Sequence, residues 1–284
     1  MSWLSDPFSL EFVQRALLGG VLVSILCAIA GTWVIVRGMA FLGEALAHGM
    51  LPGVALATVM GFPVLLGAAV SAVVMSLGIG ALQRRAKLSY DSSIGLLFVG
   101  MLALGVIVIS HAGSFATDAT AILFGDILAI GAGDIVVLAV AVIVGLAAAM
   151  LTHRSLVALA VDERVARVLG LSPRVAQTVL VGLVTLAVVA SYQAVGSLLV
   201  VGLLVAPAVA ARRWTHRIPT TMALAAAIGS AAVAVGLLIS WHAATAAGAT
   251  IAATAIGAAG VSWALAACRD AVRRRVASPV LVPV

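Results

Sequence analysis

The run ALLGGVLVSILCAIAGTWVIV, Ala16 to Val36, holds no charged residue and ends against Arg37. A helix crosses a hydrocarbon core of about 30 Å in roughly 20 apolar residues, so this run reads as a membrane span. Eight further apolar runs follow, at Met39 to Met60, Pro63 to Leu82, Ser93 to Ser110, Asp134 to Leu151, Ala176 to Ala190, Ser197 to Ala211, Thr221 to Ser240 and Thr245 to Cys268. Over all 284 residues, 64% are AVILMFWYC and 9% are charged, which leaves too little polar surface to solvate a globule. Period-2 alternation with polar inward positions is absent, so the backbone must satisfy itself within helices. The expected fold is an all-α integral membrane protein, a polytopic bundle of about nine (eight to nine) transmembrane helices forming one domain over residues 1–284.

The charges between the runs set the expected orientation. Fifteen of the 16 basic residues lie in Arg37, Arg84 to Lys87, Arg154 to Arg174, Arg212 to Arg217 and Arg269 to Arg275, all at the same side of the membrane. The opposite connections, around Gly61, His111 to Ala132, Ser191 to Gly196 and Trp241 to Ala244, carry no Lys or Arg. Basic residues remain in the cytosol, so the tail 269–284 and the loop 153–175 are expected inside and the segment 1–12 outside. Arg15 alone is unplaced. The net charge of +6 thus reports topology, not nucleic-acid binding. Nothing at the N-terminus resembles a cleaved signal, since Asp6 and Glu11 precede the first basic residue.

The stretch Ala176 to Ala211 is two short halves meeting at Ser191, Tyr192, Gln193 and Gly196, with Pro207 expected to interrupt the second. A re-entrant pair here would reduce the count of full spans. Cys27 and Cys268 stand far apart without C-x-x-C spacing, so both read as small apolar residues and no thiolate metal site is expected.

Ionisable groups at membrane depth are costly and mark a substrate path by default. One pair stands out in R37-GMAFLG-E44-ALA-H48-GML-P52-G53: Glu44 and His48, four apart and so on one helical face. From Met39, His48 lies about nine residues on, roughly 14 Å, near the bilayer midplane. Oxygen and nitrogen ligands suit a borderline divalent ion such as Zn(II), Mn(II) or Fe(II), and the lack of thiolate argues against Cu(I). The same pair could instead hydrogen-bond neighbouring helices for packing. His111, at the outer end of the fourth run, could admit an ion or simply sit at the interface; His242 reads the same way, and His153 and His216 neighbour arginines.

The inventory excludes common enzymes. Lys87 is the only lysine and belongs to no G-x-x-x-x-G-K-[ST] loop, so the chain has no such phosphate cradle with which to hydrolyse ATP. H-E-x-x-H and G-x-S-x-G are missing as well. Within the loop 153–175, however, a compact helix is predicted: Asp162 as N-cap, Glu163 in the first turn, Arg164 and Arg167 three apart, Val165, Val168 and Leu169 on another side, Gly170 as stop and Pro173 beyond. So short a helix needs a partner or the bundle to hold it. It is either an ordinary loop helix or a coupling helix received by an ATPase subunit.

Several stretches together resemble one family, the membrane subunits of ATP-binding cassette importers for manganese, zinc and related divalent metals. Arg37 to Ala55 is similar to the family's run after the first span, in which an acid, usually Asp, precedes His by four and Leu-Pro-Gly follows; here the acid is Glu44. Asp91 to Gly95, Leu123 to Gly125, Asp162 to Gly170 and Val195 to Ala208 resemble its other recurring stretches, in order. The likeness covers about residues 12 to 268. It implies a permease subunit of the bacterial plasma membrane with no permanently bound cofactor, moving Zn(II) or Mn(II), possibly iron, past Glu44 and His48. It also implies a cytosolic ATPase partner docked on Asp162 to Gly170, an extracytoplasmic metal-binding protein, and a pathway between two permease copies in surrounding lipid. The chain supplies one docking helix and a symmetric ATPase needs two, so a homodimer follows if no paralogous permease is used. Two other plans share many spans: an ion-driven secondary carrier using Glu44 and His48 as a proton relay, and an importer of metal chelates or cobalamin-like molecules.

Overall fold

The computed structural model describes residues 6–86, 88–111 and 125–277. Eleven α-helices follow in chain order: α1 (Glu11–Val36), α2 (Phe41–Gly49), α3 (Leu51–Met60), α4 (Val64–Arg85), α5 (Tyr90–His111), α6 (Ala132–Leu151), α7 (His153–Val161), α8 (Glu163–Val168), α9 (Pro173–Arg212), α10 (Ile218–Ala243) and α11 (Ala247–Ala277). No strand occurs among the described residues. With α2 and α3 taken as one crossing and α9 as two, nine segments among the described residues are long and apolar enough to span a membrane.

Helix α1 is the axis of the bundle. Its span is 72% buried, as is the second half of α9, whereas that of α5 is 17% buried and faces outward. Apolar helices gain nothing from mutual burial in lipid, so close backbone approach must hold the centre. A Cβ on Gly31 would collide with the carbonyl of Leu204, and Cys27 donates its thiol to the carbonyl of Val200 at 3.8 Å. Cys27 is buried accordingly, while Cys268 is exposed, so only the first of the two behaves as a core residue.

Helix α9 is two legs joined at Gly196, whose φ of 72° and ψ of 166° lie where L side chains are strained. Gln177 near its start touches Met39, and Arg212 at its end donates to the carbonyl of Ile35 at 2.9 Å, so both ends meet the same end of α1. The chain therefore reverses at Gly196. The contacts Cys27 to Val200 and Gly31 to Leu204 run in parallel register, which sets Gly196 level with Val23, about 18 Å along α1 from Glu11. The reversal thus lies below the end of the bundle. Gly125, from the opposite connection, packs directly on it, and Ile127 and Ile130 are buried beside Gly20 and Gly19. Pro207 lies inside the return leg with no break in the helix, contrary to the expectation from sequence. Its missing N–H removes one bond, which surrounding helices make tolerable.

The long connection after α6 is more ordered than its sequence suggested. It holds α7 as well as the expected α8, and Leu156 and Leu159 bury α7 against the bundle. Arg15, unplaced by its run, pairs with Glu11 in the first turn of α1.

Candidate functional site

Glu44 and His48 lie on α2, and the helical period brings them together as expected: Glu44 Oε1 is 2.9 Å from His48 Nε2. Three residues beyond the end of α2, Pro52 has no N–H to return to the carbonyl of His48, and the crossing is divided there into α2 and α3. Gly49 accepts the Ser71 hydroxyl at 2.8 Å on its carbonyl and touches Met75. Both partners fall near the middle of the 22-residue α4, so His48 is at mid-depth.

An aromatic wall backs the pair. The imidazole of His48 stands 5.7 Å from the ring of Phe98 on α5, which meets Phe41 edge-on at 5.4 Å. The imidazole is 21% exposed and the carboxylate 40%, so the oxygen is the more open end. It borders a groove of about 620 Å³ lined by Phe41, Glu44, Leu198, Gly202, Ala252 and Ile256, from α2, the return leg of α9 and α11. No third His, Cys, Asp or Glu joins the pair to make a metal-sized cluster among the described residues. One copy therefore offers one carboxylate to an open, otherwise apolar groove, with the His48 imidazole in contact behind it.

Helix α8 is built as its sequence predicts. The Asp162 carboxylate accepts the Arg164 N–H at 2.6 Å, capping the first turn, and Gly170 follows with φ of 71°. Ala166 is buried, whereas Val165, Val168 and Leu169 are exposed, Val168 at 87%. Glu163 and Arg167 approach to 3.9 Å in water-accessible positions. Neighbouring α7 supplies a link that the sequence did not reveal: Arg37 Nη1 donates to the carbonyl of Leu159 at 2.6 Å. Arg37 begins the short connection to α2, so α7 and α8 are tied to the element that carries Glu44. No local signal marks a partner 122 residues away, and none marked Phe98. His111 ends α5, but its side chain, like Lys87, Leu123, Phe124 and the rest of the connection over 112–124, lies outside the described residues.

Membrane-crossing helices, a polar pair at mid-depth beside an open groove and a short helix projecting from the basic end make this a multi-pass membrane transport protein. The chain belongs to the ABC 3 transport family, whose profile matches residues 9–265. It is 34% identical over 232 residues to the manganese transport system membrane protein MntC of Halalkalibacterium halodurans, covering 82% of this chain and 80% of that one. A probable iron transport system membrane protein of Haemophilus influenzae is 32% identical over 240 residues, 84% of this chain and 88% of its own. In structure, the chain is similar to PsaBC from Streptococcus pneumoniae, solved in complex with Fab, with a TM-score of 0.80, 30% identity and coverage of 92% and 94%.

Proposed function

We propose that the chain is the permease subunit of an ATP-driven importer for a divalent transition metal, manganese, zinc or iron, and that the ion passes Glu44 and His48. The observation that carries this is the Glu44 carboxylate on an otherwise apolar groove, with the His48 imidazole 2.9 Å behind it on the same helix. The names of relatives for manganese and iron support the same cargo. Two ligands hold an ion weakly, as a site that must release its cargo requires. A second copy of the chain would pack on this groove: its small Gly202, Ala249, Ala252 and Ala253 allow close approach, and a twofold axis there would double the ligands to four.

The basic end is cytosolic in this reading, supported by the clustering of arginines. Helix α8 then docks a separate ATPase through Val165, Val168 and Leu169, with Asp162, Glu163, Arg164, Arg167 and Gly170 shaping and rimming the contact. Movement of α8 reaches α2 by way of α7, Leu159 and Arg37. An extracytoplasmic binding protein delivers the ion at the other end, and no covalent change is made to it. The pair is retained by the helix in either access state, and only the path to it changes.

The test is metal uptake into vesicles holding the permease and its ATPase. Loss of uptake in His48→Ala and Glu44→Gln, with the complex intact, is expected; uptake at the unmodified rate in the double variant would reject the site. Sidedness is read separately, on a Cys268→Ala background. Val161→Cys should react with an impermeant thiol reagent only after permeabilisation, and Phe62→Cys in intact cells; the opposite pattern would reverse the orientation.

A further inference from the structure

Helix α11 has two working faces. Ala252 and Ile256 border the groove beside Glu44, whereas Ala258, Val261 and Leu265 lie on the reverse side, as a period of 3.6 residues dictates. With Leu224 and Ile228 of α10, those three form a second crevice of about 520 Å³. Its wall is apolar, and Val261 and Leu265 are exposed. In a membrane this surface meets hydrocarbon.

The basic end of the crevice is built differently. Trp214 lines it and is fixed twice: its indole Nε1–H donates to Ser262 Oγ at 2.8 Å, and the Arg269 guanidinium lies 4.9 Å from its ring centroid. Ser262 is buried and passes its own hydroxyl to the carbonyl of Ala210 at 3.0 Å, so the indole cannot swing without breaking a chain of bonds. Arg213 is exposed beside Trp214, and exposed Arg217 precedes the first turn of α10. Arg212 belongs elsewhere, on the carbonyl of Ile35. The acid in this cluster is Asp270, which accepts from Arg269 Nε at 3.2 Å. Arg269, paired with Asp270, thus stands over the Trp214 ring at the mouth of an apolar crevice, with exposed Arg213 next to Trp214 in the chain and exposed Arg217 at the start of α10.

We propose that this crevice holds an acyl chain of an anionic phospholipid whose phosphate lies against Arg213, Arg217 and Arg269. An apolar slot open to hydrocarbon accepts a chain, the indole suits the boundary between tail and headgroup, and surplus guanidinium charge selects an anionic head. A zwitterionic lipid would satisfy the slot but bring no net charge to the arginines. Since the occupied face is the reverse of the one that borders Glu44, the lipid would brace α11 from behind without entering the groove.

The experiment uses the full chain carrying Trp3→Phe, Trp241→Phe and Trp263→Phe, purified in detergent and titrated with phosphatidylglycerol or phosphatidylcholine bearing brominated acyl chains, with quenching of Trp214 as readout. Phosphatidylglycerol should quench at a concentration roughly tenfold lower than phosphatidylcholine. The triple variant Arg213→Gln, Arg217→Gln and Arg269→Gln should lose that preference while eluting as the same species. Ala258→Leu, which fills the slot, should weaken quenching by both lipids. Should the triple variant misfold, Arg213→Gln alone, at an exposed position, should reduce the preference by about threefold. Equal quenching by both lipids in the unsubstituted chain, or a preference that survives the arginine substitutions, would overturn the proposal. So would displacement of the phosphatidylglycerol signal by inorganic phosphate.

Discussion

Two short helices of this chain carry the same local pattern in opposite surroundings. On α2 an acid and a base four residues apart, Glu44 and His48, meet at 2.9 Å beside Phe98 at membrane mid-depth. On α8 Glu163 and Arg167, also four apart, approach only to 3.9 Å with more than half of each side chain in water. The spacing rule is identical, and its energetic weight is not. Exposed pairs contribute roughly 0.2–1 kcal/mol and are screened by salt, whereas ionisable groups held inside a membrane cost several times that and persist only where something requires them. The difference teaches that a motif is read by its depth as well as its spacing. In the function proposed above, the working part on α2 is the carboxylate–imidazole pair, and on α8 it is the exposed Val168 and Leu169.

Substitutions should separate the two helices in proportion. The largest effect is expected for His48→Ala and Glu44→Gln, each lowering metal uptake by about 100-fold or more without loss of assembly, since a ligand is worth at least as much as the groups that merely orient one. Next come Val168→Asp and Leu169→Asp, which should weaken association with the ATPase by roughly thirtyfold, about 2 kcal/mol or more, as measured by co-purification and metal-stimulated ATP hydrolysis. Phe98→Ala removes the ring behind the imidazole and should lower uptake by about tenfold, leaving ATPase binding unchanged. Glu44→Asp keeps the charge and shortens the arm by one methylene; uptake should survive, with a changed ratio of manganese to zinc. Smallest of all, Glu163→Gln or Arg167→Gln should alter stability by less than about 0.5 kcal/mol in thermal unfolding. A large loss of stability from the last pair would erase the contrast between the helices.

What could be read from sequence follows the same division between local and distant. Spans, caps and the Glu44–His48 contact are set by neighbours within a few residues, so hydropathy and helical period suffice for them. The Asp162 cap and the Gly170 stop are legible for that reason. Arg37 on Leu159, Phe98 on His48 and the packing of Gly125 on Gly196 arise between segments brought together only by the bundle. The turn in α9 was visible as a weak place around Ser191 to Gly196, but the choice of Gly196 over Pro207 rests on backbone angles that composition does not encode. Helix α7 was hidden because its nine residues begin with His153 and Arg154, which read as a loop after a span.

The contact between Cys27 and Val200 spans 173 residues of chain, which has a consequence for how the protein is made. At synthesis rates of about 5–20 residues per second, α1 waits roughly ten to thirty-five seconds before the return leg of α9 exists. Thr32 can wait at no cost, since its hydroxyl already donates to the carbonyl of Ala28 one turn back. Ser24, by contrast, has its partner in Ala226, and the cleft at Gly31 stays open to lipid until Leu204 arrives. One of the two most buried spans of the finished bundle is therefore also the first to be made, and its deepest contacts close only when the return leg of α9 arrives.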